Sequence, residues 1–212
     1  MKSKYFSEFL GTAFLFCTVV GSGIMGQNLS SNDSLTLLAN TLATVFALYF
    51  LITVFGDHSS HFNPVVSMVM LVRKEITTQV CTVFIILQIS GAILGVMLAN
   101  YIFELDPFYF SEKPRSGTHL FVSEILATFG LLMVILLSSK EKVAVTVAAY
   151  IGAAYWFTSS TSFANPAGTI GRSFSNTFAG ISTNDILHFC VAQIIGAFLA
   201  LFVYKTFFES QK

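Results

Sequence analysis

His61-Phe62-Asn63-Pro64-Val65-Val66-Ser67 and Phe163-Ala164-Asn165-Pro166-Ala167-Gly168-Thr169 are the two stretches whose reading decides the fold. Each sets an Asn-Pro pair inside an apolar region. Asparagine is a strong helix N-cap, and proline suits the first helical position, where its missing N–H would be unpaired in any case. Each stretch therefore opens a helix. Two such openings in matching surroundings are hard to assign to chance.

The chain around them reads as membrane-embedded. Of its 212 residues, 54% are hydrophobic and 10% charged, with a mean hydropathy of +0.74, whereas soluble domains carry about 25% charge. Six stretches, near 6–26, 36–55, 77–103, 119–138, 143–161 and 186–208, have the length and apolarity to cross a hydrocarbon core, which takes about 20 helical residues. A formal net charge of zero gives no support to nucleic-acid binding. Cys17, Cys81 and Cys190 lie in apolar runs without metal-ligand spacing. They read as packing residues, and no disulfide, metal or cofactor is expected. Met1-Lys2-Ser3-Lys4 before an apolar run imitates a signal peptide. Glu8 interrupts that run and no cleavage site follows, so the segment reads as a retained first span.

The halves repeat one another. Glu8-Phe9-Leu10-Gly11-Thr12 answers to Glu124-Ile125-Leu126-Ala127-Thr128, and Gln88-Ile89-Ser90-Gly91-Ala92 to Gln193-Ile194-Ile195-Gly196-Ala197, with the Asn-Pro stretches between. One domain over 1–212 is expected, with repeat halves of about 1–104 and 119–212. Three spans per half force the second copy to enter the membrane from the opposite side. The result is an inverted 3+3 repeat, an architecture of channels and secondary transporters. Lys2, Lys4, Arg73, Lys74, Lys140, Lys142, Lys205 and Lys212 fall on one side, against Lys113, Arg115 and Arg172 on the other. The positive-inside bias then places both termini in the cytoplasm.

Non-helical backbone at membrane depth survives only where protein buries it or it lines a wet cavity. The Asn-Pro stretches therefore imply re-entrant loops, one from each side, whose half-helices of about 15 Å meet at the midplane. Their N-terminal dipoles make that point electropositive and disfavour cations and protons. Each Asn spends its side-chain oxygen as a cap and keeps its NH₂ to offer a solute oxygen. That describes a filter for neutral solutes.

At this point the chain resembles the major intrinsic protein family, the aquaporins and glycerol facilitators. The resemblance rests on the Glu-bearing first and fourth spans, His-x-Asn-Pro, the second Asn-Pro-Ala and the Gln-x-x-Gly-Ala segments. It implies an all-α membrane protein with six transmembrane helices plus two re-entrant half-helices, a pore in each protomer and a homotetramer. Its pore motifs fall on Asn63, Pro64, Val65, Asn165, Pro166 and Ala167. Glu8, Glu124 and His61 would brace the loops.

Three departures from the family pattern stand out. Val65 replaces the usual Ala, a packing variation. The family's Arg three residues after the second Asn is Gly168 here, and the next Arg is Arg172, one helical turn on. A filter without its usual cation, wider than a water-only channel's, is expected, with Arg172 lining the vestibule in preference to leaning back toward the mouth. Motif spacing adds Asn40, Gly152 and Ser162 as filter candidates. Asp57-His58 reads as a solvated loop in preference to a pH gate.

The leading expectation is a passive channel for water, glycerol-like polyols or uncharged metalloid hydroxides such as As(OH)₃, the last suggested by resemblance to a bacterial branch with a shifted Arg. That branch implies a bacterial inner membrane. A secondary transporter is the alternative, opposed by the lack of an acid–base pair arranged for ion coupling. Hydrolytic chemistry from Asp57, Ser59, Ser60 and His61 is set aside, because triad members are rarely crowded into one loop.

Overall fold

The computed structural model describes residues 2–209. Lys212, counted in the charge argument, and the extreme ends of the expected 1–212 unit lie outside the described residues. Eight α-helices follow in order: α1 (Lys2–Leu29), α2 (Asp33–Phe55), α3 (Pro64–Val72), α4 (Thr78–Ile102), α5 (Thr118–Leu137), α6 (Val143–Phe157), α7 (Pro166–Arg172) and α8 (Ile186–Phe207). Five of them are long and apolar enough to cross a membrane. The sixth span, α6, has 15 residues and ends at Phe157, four residues before its expected end at 161. The chain there turns extended, because Thr158 to Asn165 must run back into the protein as a re-entrant loop.

The half-helices form as the capping argument requires. Asn63 Oδ1 accepts from Val65 N at 3.2 Å, and Asn165 Oδ1 accepts from Ala167 N at 3.0 Å, with proline at the first helical position of both. They are shorter than expected, at nine and seven residues. In each half the long outer helices pair, α1 with α4 and α5 with α8. The halves interlock, because α3 also packs on α8 and α7 on α4. Close approach comes from glycine. A Cβ on Gly91 would collide with the Phe9 carbonyl, and one on Gly196 with the Ile125 carbonyl. These are equivalent positions, each one residue past the repeat's glutamate.

Two fully buried carboxylates hold the re-entrant loops. Glu8 accepts from His61 N at 2.8 Å, Phe62 N at 2.8 Å, Ser59 Oγ at 2.5 Å and Gln88 Nε2 at 2.8 Å. Glu124 accepts from Phe163 N at 2.9 Å, Ala164 N at 2.9 Å and Gln193 Nε2 at 2.7 Å. Each glutamine also reaches into its own half-helix, Gln88 to Ser67 Oγ at 3.0 Å and Gln193 to Thr169 Oγ1 at 2.9 Å. So one carboxylate and one amide tie three segments of each half together. Apart from the Ser59 hydroxyl on Glu8, the same pattern repeats in both halves.

The loops are strained where they are held. Phe62 and Ala164, each just before its asparagine, have φ of 49° and 46°, a conformation that costs a non-glycine residue of order 1–3 kcal/mol. An amide in place of either carboxylate has one acceptor atom and adds donors facing donors. Each N–H left unpaired costs about 1–3 kcal/mol. Glu8→Gln should therefore lower the thermal midpoint in detergent more than Glu124→Gln, since Glu8 accepts one donor more. Equal midpoints for the two variants would contradict this.

Candidate functional site

The half-helices meet tip to tip, and the contact is reciprocal. Asn63 Nδ2 donates to the Ala164 carbonyl at 2.8 Å, and Asn165 Nδ2 donates to the Phe62 carbonyl at 2.8 Å. This refines the sequence expectation. Each amide uses one of its two hydrogens on the opposite loop and keeps one, so the pair offers two N–H donors in total. The strained φ at Phe62 and Ala164 belongs to the residues whose carbonyls accept these bonds.

Both asparagines line a cavity of about 180 Å³ between the halves, room for several waters at about 30 Å³ each. Its wall is largely apolar, with residues such as Leu48, Ile52, Leu131, Val147 and Ile151. Polar groups interrupt it: Asn63, Asn165, Ser162, Arg172 and the hydroxyl pair of Thr44 and Tyr155, whose oxygens lie 3.1 Å apart. Ser162 Oγ is buried with no hydrogen-bond partner in the protein. His61 also lines the cavity, its backbone N bonded to Glu8 and its ring Nδ1 3.0 Å from Ser67 Oγ.

The five filter candidates fare differently. Ser162 and Arg172 line the cavity; Asn40, Gly152 and Gly168 do not. Asn40 spends its amide on the Val19 carbonyl at 2.6 Å and Ser22 Oγ at 2.9 Å, bracing α2 against α1. Thr44, one turn further along α2, reaches the lumen instead. Gly152 faces Val45, where α6 packs on α2, so its neighbours Ile151 and Tyr155 line the cavity. Gly168 leaves no gap, since a Cβ there would fall inside the Phe16 ring.

Arg172, expected to line the vestibule, lines the cavity. It is only 5% exposed. Its Nε donates to the Ala179 carbonyl at 2.5 Å, and its guanidinium carbon lies 3.3 Å from the Phe163 ring centroid. Arg172 therefore borders the cavity from one turn beyond Gly168. The signal available in sequence was the i+4 spacing from Gly168, which keeps Arg172 near the same helix face. Asp57 and His58 are exposed, with Asp57 paired to Lys140 Nζ at 3.2 Å.

A largely apolar cavity with a few polar groups, set between two membrane-crossing halves whose capped half-helices meet at its wall, has the architecture of a transmembrane channel. A family model described as major intrinsic protein matches residues 1–204. The chain belongs to the major intrinsic protein family and is a passive channel for small uncharged solutes, not an enzyme. It is 46% identical over 199 residues to aquaglyceroporin AqpS of Rhizobium meliloti, covering 92% of this chain and 85% of that protein. It is 32% identical over 218 residues to glycerol uptake facilitator protein-like 6 of Lactiplantibacillus plantarum, covering 94% and 95%. In fold it matches the aquaglyceroporin structure from Plasmodium falciparum with a TM-score of 0.74, at 20% identity, over 99% of this chain and 98% of that one.

Above α7 the connection between the halves carries Lys113, whose Nζ donates to the Phe178 carbonyl at 2.8 Å. Burial first, then repulsion from Arg115 and Arg172 against attraction from Asp33, lowers its pKa to about 8 from 10.5. Between those two values the unfolded chain holds a proton that the folded chain has released, so folding stability rises with pH there. Lys113→Met should remove that rise. Thermal midpoints of the two proteins between about pH 7.5 and 10.5 check it, and parallel curves would refute it.

Proposed function

We propose that the channel passes water, glycerol-like polyols and uncharged metalloid hydroxides through the passage between Asn63 and Asn165, in the inner membrane of a bacterium. The observation that carries the reading is the pairing of two crossed asparagine amides with a largely apolar cavity that a few polar groups interrupt. A polyol or trihydroxide presents oxygens to the free amide hydrogens, the Thr44–Tyr155 hydroxyls, Ser162 and Arg172, and its carbon or metalloid body to Leu48, Ile52 and Val147. In the proposed outer filter, Ser162 supplies an uncommitted hydroxyl and Arg172 a fixed cation, while Gly168 admits the Phe16 ring. Pro64, Pro166, Val65 and Ala167 set the half-helix starts. Similarity to AqpS and to a glycerol facilitator-like protein favours this solute class.

Orientation follows from where the cations lie. Arg73 pairs with Glu75 and reaches Glu209 beyond α8, gathering the α3 and α8 ends at one mouth. Lys113, Arg115 and Arg172 gather at the other. The richer end, by the positive-inside bias, is cytoplasmic. The family resemblance supports a homotetramer with one pore per protomer, each a single domain of two repeat halves.

Stopped-flow measurements on proteoliposomes should show fast, non-saturating passage of water, glycerol and arsenous acid, indifferent to ion gradients. Asn165→Asp keeps the cap oxygen but faces the Phe62 carbonyl with an acceptor and puts a charge at the narrow centre. It should cut glycerol flux on the order of tenfold, the effect of one lost charge-free donor turned repulsive. Saturating or ion-driven flux in the unaltered protein would overturn the channel reading in favour of a carrier.

A further inference from the structure

The outer connection makes more contact with the lumen's cation than a tether needs. Three successive carbonyls of the segment after α7 are taken by three different cations. Phe178 O accepts from Lys113 Nζ at 2.8 Å, Ala179 O from Arg172 Nε at 2.5 Å, and Gly180 O from Arg115 Nε at 2.8 Å. Arg115 makes two longer bonds, Nη2 to Phe178 O and Nη1 to Ser160 O, both 3.4 Å. Its guanidinium carbon also lies 4.7 Å from the centroid of Phe163, the ring that Arg172 covers at 3.3 Å.

Arg115 is itself held. Its backbone N donates to Asp185 Oδ2 at 2.7 Å, and neighbouring Ser116 Oγ donates to Asp185 Oδ1 at 2.6 Å. Asp185 is 5% exposed. The peptide that carries the Ala179 carbonyl is fixed at its other end by Gly180 N donating to Thr177 O at 3.0 Å. A Cβ at Gly180 would collide with Ser175 O and Ser111 Oγ, so the connection and the segment press together. Arg115 therefore has a rigid base and grips the carbonyl beside the one that aims Arg172. Like charges this close repel. Their shared aromatic ring and separate carbonyls keep them apart at fixed positions.

We propose that Arg115 is a positioning residue for the pore: by holding Gly180 O, Phe178 O and the Phe163 ring it fixes the direction in which Arg172 meets the solute. Arg115 acts through Arg172 and does not itself line the cavity. The inference rests on the reading of Arg172 as a filter residue. Arginine is the residue such a role needs, because a planar fork bonds two carbonyls and stacks on a ring at once, which lysine's single ammonium does not.

The test uses the full chain in proteoliposomes and reads the ratio of glycerol to water permeability, which a general loss of folded protein leaves unchanged. Arg115→Gln and Arg172→Gln should each shift that ratio in the same direction by about threefold or more, and the double variant should match Arg172→Gln alone, the non-additivity of groups acting as a unit. If Arg172→Gln shifts the ratio and Arg115→Gln does not, or if the two effects add, the role of Arg115 is overturned while the filter stands. If Arg172→Gln leaves the ratio unchanged, the filter reading itself fails. Should Arg115→Gln not fold, Arg115→Lys carries the same test, since it keeps the charge and loses the fork.

Discussion

The fold depends on two hydrogen bonds that neither half can make alone, Asn63 Nδ2 to Ala164 O and Asn165 Nδ2 to Phe62 O. A loop that enters a bilayer must satisfy its backbone internally, and a re-entrant loop has turned away from both neighbours on its own side. The partner's loop supplies the missing donor and acceptor. This explains why the repeat is inverted rather than parallel: only opposed half-helices bring an amide of one to the carbonyl just before the cap of the other. It also leaves one N–H on each asparagine uncommitted by these bonds, at the wall of the cavity. In the proposed function, structural closure and solute recognition would come from the same two side chains.

The repeat is strict where the loops are braced and relaxed where they pack. Glutamate, glutamine and a hydroxyl occupy equivalent places in both halves, with Ser67 in one matched by Thr169 in the other. Behind the caps the volumes trade. Gly11 makes room for the Phe62 ring, since a Cβ there would fall against it, while the second half has Ala127 and Ala164 in the corresponding places, both fully buried. Large against none in one half, small against small in the other, fills similar space. Only the polar bonds are too directional to be exchanged in this way.

That difference governs what could be read from the sequence. The half-helix starts, the bracing glutamates and the paired halves were legible because each depends on residue types that repeat in order. The filter was not. Whether Asn40 or Thr44 faces the lumen is decided by how α2 is rotated against α1, and Gly152 is turned to Val45 by the packing of α6. The space left by Gly168 is taken by Phe16, a residue some 150 positions earlier, which no motif spacing connects to it. Arg172 was assigned by its distance along α7. Its side chain is held by the Phe163 ring and the Ala179 carbonyl, contacts that distance along α7 does not reveal. The end of α6 did leave a mark in the sequence: past Phe157 the chain reads Thr158-Ser159-Ser160-Thr161-Ser162, a hydroxyl run rather than an apolar one, and there the backbone turns extended and is led inward.

The position of Arg172 bears on how ions are refused. Each half-helix N-terminus carries about half a positive charge, and two of them converge at the asparagines, where the lumen's wall is largely apolar. A cation there meets repulsion and loses its hydration, whose full cost is far larger than any single contact. A neutral solute pays neither penalty. The barrier to cations is therefore already present at the midplane, and an arginine nearer the outer mouth adds to it without being its sole source. With Arg172 one turn along from Gly168, and Phe16 packed against Gly168, that barrier is left intact, because it comes from the half-helix ends and the apolar wall.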